Sequence, residues 1–139
     1  MLGVDRTTWV NAMSSVYTIL AWYGLLMIVT ILVQVSAAFL QVGNAALLSA
    51  REDMPKLTGM AGRLDRAQMN NVVAMAMFAP AIFLLGENAG QSDVLLAAQI
   101  FLAARIVYVL VYATSVNGIR TASWLVGFGA TAYLYLQSI

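Results

Sequence analysis

Arginines, tyrosines and an asparagine recur at helical spacing in two places in this chain, and both places are otherwise apolar. Arg63, Arg66 and Asn70 lie three and four residues apart, so on a helix they share one face. Arg105, Tyr108 and Tyr112 repeat that spacing, and Arg120 follows just beyond. Arginine grips a carboxylate through paired hydrogen bonds. Tyrosine presents a hydroxyl donor on an apolar body. Together they suit a small anionic molecule. Ionisable groups within a membrane are costly, and where they occur they usually mark a site.

The same residues have structural uses, and these stand beside the functional reading. Arg63 and Arg66 at a helix start could be interfacial anchors on lipid phosphate. Tyr108 and Tyr112 could be interface tyrosines or packing. Asn70 and Asn71 could join helices. The eight methionines read as packing and lipid contact. Arg105 is different. It lies about eleven residues from either end of its apolar run, too deep to snorkel easily. It is expected to be a structural intramembrane charge, paired inside the bundle with Asp65 or a helix carbonyl.

The elements that must carry these residues are membrane helices. The chain has 139 residues, 62% hydrophobic and 9% charged, where soluble domains carry about 25% charged residues. A helix needs about 20 apolar residues to cross the hydrocarbon. Four spans are expected, at about residues 15–40, 63–86, 94–116 and 121–136, forming a single all-α membrane domain over residues 1–139. Val35-Ser36-Ala37 could pass for a signal-peptidase site, but the run before it exceeds the 7–15 residues of a signal core. Residues 41–62 hold Pro55 and Gly59 and read as a loop. Pro80 is expected to kink the second span. Asn117-Gly118 reads as a tight turn.

Lysine and arginine are distributed unevenly over the links. The first and third hold Arg51, Lys56 and Arg120, with Arg63 and Arg66 close by, and the second holds none. The positive-inside rule then puts the first and third loops in the cytoplasm and both termini outside. A bacterial inner membrane is expected more than the endoplasmic reticulum. The chain has no cysteine and no histidine. That removes a protein thiol nucleophile, a histidine base, and nearly all zinc or haem ligation, so no metal is expected. Thiol chemistry would need a thiol brought by a substrate. The net charge of +1 and the lack of a basic patch give no reason to expect nucleic acid.

Arg66-Ala67-Gln68-Met69-Asn70, with Arg63 upstream, is similar to the second-helix signature of the membrane-associated proteins in eicosanoid and glutathione metabolism. Arg105-Ile106-Val107-Tyr108, then Tyr112 and Arg120, resembles that family's third-helix signature. The tail from Arg120 to Phe128 resembles it too, and the likeness covers most of the chain from about Ser15. The family includes microsomal glutathione transferases and leukotriene-forming synthases. The resemblance implies a homotrimer of four-helix bundles with a site between neighbouring subunits. It implies that Arg63, Arg66, Asn70, Tyr108 and Tyr112 bind glutathione as co-substrate and that Arg120 is the catalytic residue stabilising its thiolate. One position departs. Val73 stands where the family carries a glutamate, which removes a carboxylate expected to help bind the tripeptide.

Three functions remain in view. The first is a glutathione transferase or peroxidase acting on lipophilic electrophiles or lipid hydroperoxides, with Trp22, Trp124 and apolar helix faces forming a groove for that small lipophilic substrate. The second is a non-enzymatic protein of the same fold that binds a lipid or a partner. The third is a proton-coupled transporter, for which only Asp65 and Arg105 offer a relay and no paired broken helices are evident.

Overall fold

A computed structural model describes residues 15–50, 52 and 54–139. The described residues form four α-helices: α1 (Val16–Leu48), α2 (Gly59–Leu84), α3 (Ser92–Thr114) and α4 (Asn117–Leu136). A short 3₁₀ turn, Gly86–Gly90, joins α2 to α3. The protein is an all-α bundle with several membrane spans. The first three helices are long and apolar enough to cross a bilayer. α4 has the length, at 20 residues and about 1.5 Å per residue. The side chains of Arg120 and of its serine, threonine and tyrosine residues make it less apolar.

α1 starts at Ser15, whose hydroxyl oxygen accepts from the Tyr17 N–H at 3.3 Å. A side-chain acceptor at this position satisfies one of the orphan donors of the first turn. The helix then runs past the expected end near residue 40 and reaches Leu48, with a break in direction at Gly43 (φ 78°, ψ 170°). Only glycine takes that conformation freely. Pro55 and Gly59 made residues 41–62 read as one loop, yet Ala45, Ala46, Leu47 and Leu48 are good helix formers. The connecting loop is therefore only residues 49–58.

α2 likewise starts earlier than expected, at Gly59, and continues through Pro80 to Leu84. Its N-terminus is tied back to α1. The Gln41 side-chain amide donates to the Thr58 hydroxyl at 2.8 Å, and the Thr58 N–H donates to Gln41 Oε1 at 3.2 Å. Gly62 is buried one turn in, and a Cβ there would lie 2.4 Å from the Leu57 carbonyl oxygen.

The C-terminus of α3 resolves its unpaired carbonyls one by one. Ser115 adopts the left-handed conformation (φ 69°, ψ 29°) and closes the helix, its N–H donating to the Tyr112 oxygen at 3.4 Å. The Val116 N–H donates to the Val111 oxygen at 3.2 Å. The Thr114 hydroxyl reaches the Leu110 oxygen at 3.0 Å. The Ala113 carbonyl accepts from Arg63 of α2.

The core is aromatic at its centre. The Phe78 and Phe101 rings stack with centroids 3.8 Å apart, and Tyr23 meets Phe101 edge-on at 4.8 Å. Alanines 74, 81, 97 and 98 line the surrounding contacts. Small side chains let helices approach closely in a membrane, where dispersion and not water exclusion drives association. Leu25, Ile28, Val29, Leu32, Ile100 and Leu110 remain exposed on the outside, as lipid-facing residues should be. The far end is pinned by Asn88, whose amide donates to the Gln137 carbonyl at 2.8 Å, and by the Tyr133 hydroxyl on Asp93 at 2.5 Å.

Candidate functional site

The face of α3 bearing Arg105, Tyr108 and Tyr112 turns inward, and all three side chains are buried. Ala67, wholly buried on α2, packs on Tyr108 and Tyr112. A larger residue there would hold α2 away from the two rings. Tyr108 and Tyr112 meet edge-to-face at 5.4 Å. Beyond them the Arg120 guanidinium lies over the Tyr112 ring, 5.1 Å from its centroid. This is a cation–π contact. It leaves the in-plane N–H groups of Arg120 available to a ligand.

A cavity of about 270 Å³ opens here, lined by Asn70, Tyr108, Tyr112, Arg120, Thr121 and Trp124. Three helices contribute to it. Beside it is a smaller cavity of about 110 Å³, lined by Arg63, Arg66, Val111, Tyr112, Ser115, Val116 and Arg120. Tyr112 and Arg120 belong to both. The linings hold three arginines and no carboxylate, so the site favours an anion. Four of the sequence candidates, Asn70, Tyr108, Tyr112 and Arg120, meet in the first cavity. Arg63 and Arg66 meet Arg120 in the second.

Arg63 has a further engagement. Its Nε and Nη2 groups donate to the Ala113 carbonyl at 3.1 and 2.9 Å. It clasps the C-terminus of α3, where a cation complements the helix dipole. Arg66 is exposed. It also lines a larger groove, about 1210 Å³, which runs between the second half of α1, the loop and α2 past Val35, Phe39, Lys56, Asp65 and Gln68.

Arg105 enters neither cavity. Its side chain is 1% exposed, and its guanidinium sits over the Phe101 and Tyr108 rings at 5.5 and 5.4 Å. The expected pairing with Asp65 is not made: Asp65 is exposed on α2. A pairing of Nε or Nη1 with a helix carbonyl is not made either, as both atoms lack a hydrogen-bond partner.

Sequence reasoning missed Thr121 as a lining residue and set Trp124 in a lipid-side groove. Trp124 instead lines the polar cavity and stacks on Phe128 at 5.4 Å. Four residues after Arg120, it shares that arginine's helix face, and this spacing was a usable signal. Of the two adjacent asparagines, Asn70 faces the cavity. Asn71 is buried and accepts from the Tyr23 hydroxyl, at its backbone oxygen (3.0 Å) and at Oδ1 (3.3 Å). Val73 lines neither cavity and is 52% exposed. Residues 19–139 match the model of the MAPEG family. A comparison with curated proteins returned no match.

Proposed function

The chain belongs to the MAPEG family, and we propose that it is a membrane glutathione transferase, with peroxidase activity, acting on lipophilic electrophiles or lipid hydroperoxides. The observation that carries the proposal is the gathering of Asn70, Tyr108, Tyr112 and Arg120 from three helices around one cavity. At about 270 Å³ it falls just under the ~300–1,000 Å³ of small-molecule sites. It holds part of the tripeptide, and a neighbouring copy in a homotrimer completes the rest. Arg66 and Arg63 beside it serve the glutathione carboxylates, Arg66 with its full fork and Arg63 with the donors that the Ala113 carbonyl leaves over.

Arg120 is the catalytic residue in this reading. Arginine stays protonated and cannot act as a base. Its charge beside a thiol of ordinary pKa about 8.5 favours the thiolate, and each unit of lowering corresponds to about 1.36 kcal/mol. The thiol proton leaves to water. The thiolate sulfur then attacks an electrophilic carbon in the bilayer, expelling its leaving group as an anion or, at an activated double bond, forming a carbanion that water protonates. Alternatively it attacks the terminal oxygen of a hydroperoxide, and a second glutathione completes reduction to alcohol, water and disulfide. α4 crosses the membrane as a fourth span, and the arginine-rich end faces the cytoplasm.

Val73 favours a second reading, a non-enzymatic protein that holds a lipid or a partner in the large groove. The ultraviolet thiolate difference spectrum of glutathione with the detergent-purified protein separates the two. A signal present in the native chain and absent in Arg120→Ala supports the enzyme. No signal from an intact oligomer rules the enzyme out in favour of lipid or partner binding.

A further inference from the structure

Gln34 is 8% exposed, yet its side chain makes no hydrogen bond among the described residues. A buried amide without a partner is costly. Thr30 and Ser36 on the same helix avoid that cost by donating to the Leu26 and Leu32 carbonyls. The Gln34 amide is not sealed off as Asn71 Nδ2 is. Gln34 lines the groove of about 1210 Å³ between α1, the loop and α2, so its free amide opens there.

The groove joins this amide to charge and to an apolar wall. Gln41 of α1 is bonded to Thr58 at the start of α2, and the two packed helices leave that tie together. Gln34 lies seven residues from the tie along α1 and Arg66 eight along α2, which at about 1.5 Å per residue puts both about 10–12 Å from it. Lys56, on the loop, stands at the other end. Ile31, Val35 and Phe39 repeat every four residues and share one face of α1, with Val35 and Phe39 about half exposed. The charged residues lining the groove are Lys56, Asp65 and Arg66, and none of them makes an ion pair or hydrogen bond among the described residues. Two cations against one carboxylate leave one positive charge unmet.

We propose that this groove is a binding site for an anionic phospholipid, a phosphodiester of net charge −1 such as phosphatidylglycerol. The headgroup neutralises the excess charge at Lys56 and Arg66, and the phosphate or ester oxygens accept from the Gln34 amide. The acyl chains lie on Ile31, Val35 and Phe39. A soluble anion leaves that wall bare, and a zwitterionic lipid leaves the positive charge unmet. Basic residues at a membrane surface draw anionic lipids in this way. Arg66 also lines the smaller cavity beside Arg120, so its guanidinium is shared with the anion proposed there, and Lys56 is the cation that the groove has to itself. The phosphodiester is a resident ligand and not an electrophilic substrate, so the site is expected whether or not the protein is an enzyme.

The test uses the full-length protein, delipidated in a nonionic detergent. Phosphatidylglycerol or phosphatidylcholine with the same acyl chains is added back. Native mass spectrometry reads the retained lipid and the oligomer mass, and intrinsic fluorescence reads Tm. Phosphatidylglycerol should be retained in preference to phosphatidylcholine and should raise Tm saturably, as a ligand of the folded state does. Lys56→Gln should lower that preference about fivefold, the effect of one basic residue near the surface. Gln34→Leu should weaken lipid retention without lowering the lipid-free Tm. Equal retention of the two lipids by the native chain overturns the proposal, as does an undiminished preference in Lys56→Gln. Gln34→Leu that lowers the lipid-free Tm and retains lipid as before overturns the role of Gln34. Glycerol phosphate alone giving the same rise in Tm makes the occupant a soluble anion and overturns the lipid. A smaller oligomer in Lys56→Gln with lipid retention unchanged shows a second copy covering the groove and overturns it too.

Discussion

Replacing Arg63 with methionine separates a clasp from a ligand contact. The guanidinium donates twice to the Ala113 carbonyl, at 3.1 and 2.9 Å, across 50 residues of sequence. It is the partner that this carbonyl finds at the end of α3. Methionine keeps much of the unbranched stem and its packing, so the loss is mostly the charged hydrogen bonding. Bonds to a charged group contribute about 1.5–3 kcal/mol. Arg63 is half-buried, so the middle of the range, about 2 kcal/mol, is appropriate. In a chain of this length each kcal/mol corresponds to about 3–5 °C in Tm, so a fall of about 6–10 °C is expected. The assay is thermal unfolding in detergent followed by intrinsic fluorescence. The glutathione thiolate signal, measured well below Tm, should persist in reduced form, because Arg120 remains over Tyr112. The reasoning fails if Arg63→Met unfolds within about 1 °C of the native protein yet loses the thiolate signal. Arg63 would then be a ligand contact alone, and its bonds to Ala113 would contribute nothing measurable.

Arg120→Ala should show the opposite pattern, losing the thiolate spectrum at nearly unchanged Tm. A large drop in Tm would mean that its contact with Tyr112 is structural. Gly62→Ala places a Cβ 2.4 Å from the Leu57 carbonyl oxygen and should cost about 1–3 kcal/mol through forced backbone movement, visible as a lowered Tm; unchanged stability would show that the loop yields freely. Tyr23→Phe removes both hydroxyl contacts to Asn71 and should cost about 1–2 kcal/mol with no effect on glutathione titrations. Val73→Glu supplies the carboxylate that the family signature carries at this position, and calorimetry should show tighter glutathione binding. An unchanged Kd would show that the missing carboxylate at Val73 does not limit glutathione binding.

Local periodicity made much of this molecule legible in its sequence. The three- and four-residue spacing of Arg105, Tyr108 and Tyr112 does define one helix face, because rotation per residue is set by backbone hydrogen bonding alone. Long apolar runs located α3 to within two residues at each end, at Ser92–Thr114, since hydrocarbon thickness dictates the length. The residues around the candidate cavity were legible in a similar way: Asn70, Tyr108, Tyr112 and Arg120 are polar side chains in apolar surroundings, and Tyr108 and Tyr112 stand four apart on one helix.

Tertiary contacts decided the rest. Residues 41–48 carry turn-forming types, and their helical state depends on Gly43 redirecting the chain and on Gln41 reaching Thr58, 17 residues away. Two adjacent asparagines look alike in sequence. A turn of about 100° between neighbours on a helix sends Asn70 to the cavity and Asn71 to Tyr23, 48 residues back. Asp65 and Arg105 looked like a pair because their charges are opposite. The packing of α2 on α3 leaves Asp65 outside and seals Arg105 over Phe101 and Tyr108. Charge and spacing are properties of the chain itself. Which side chains become neighbours depends on how the helices are rotated against one another, and that is fixed by the fit of rings such as Phe78 and Phe101 against small residues on facing helices.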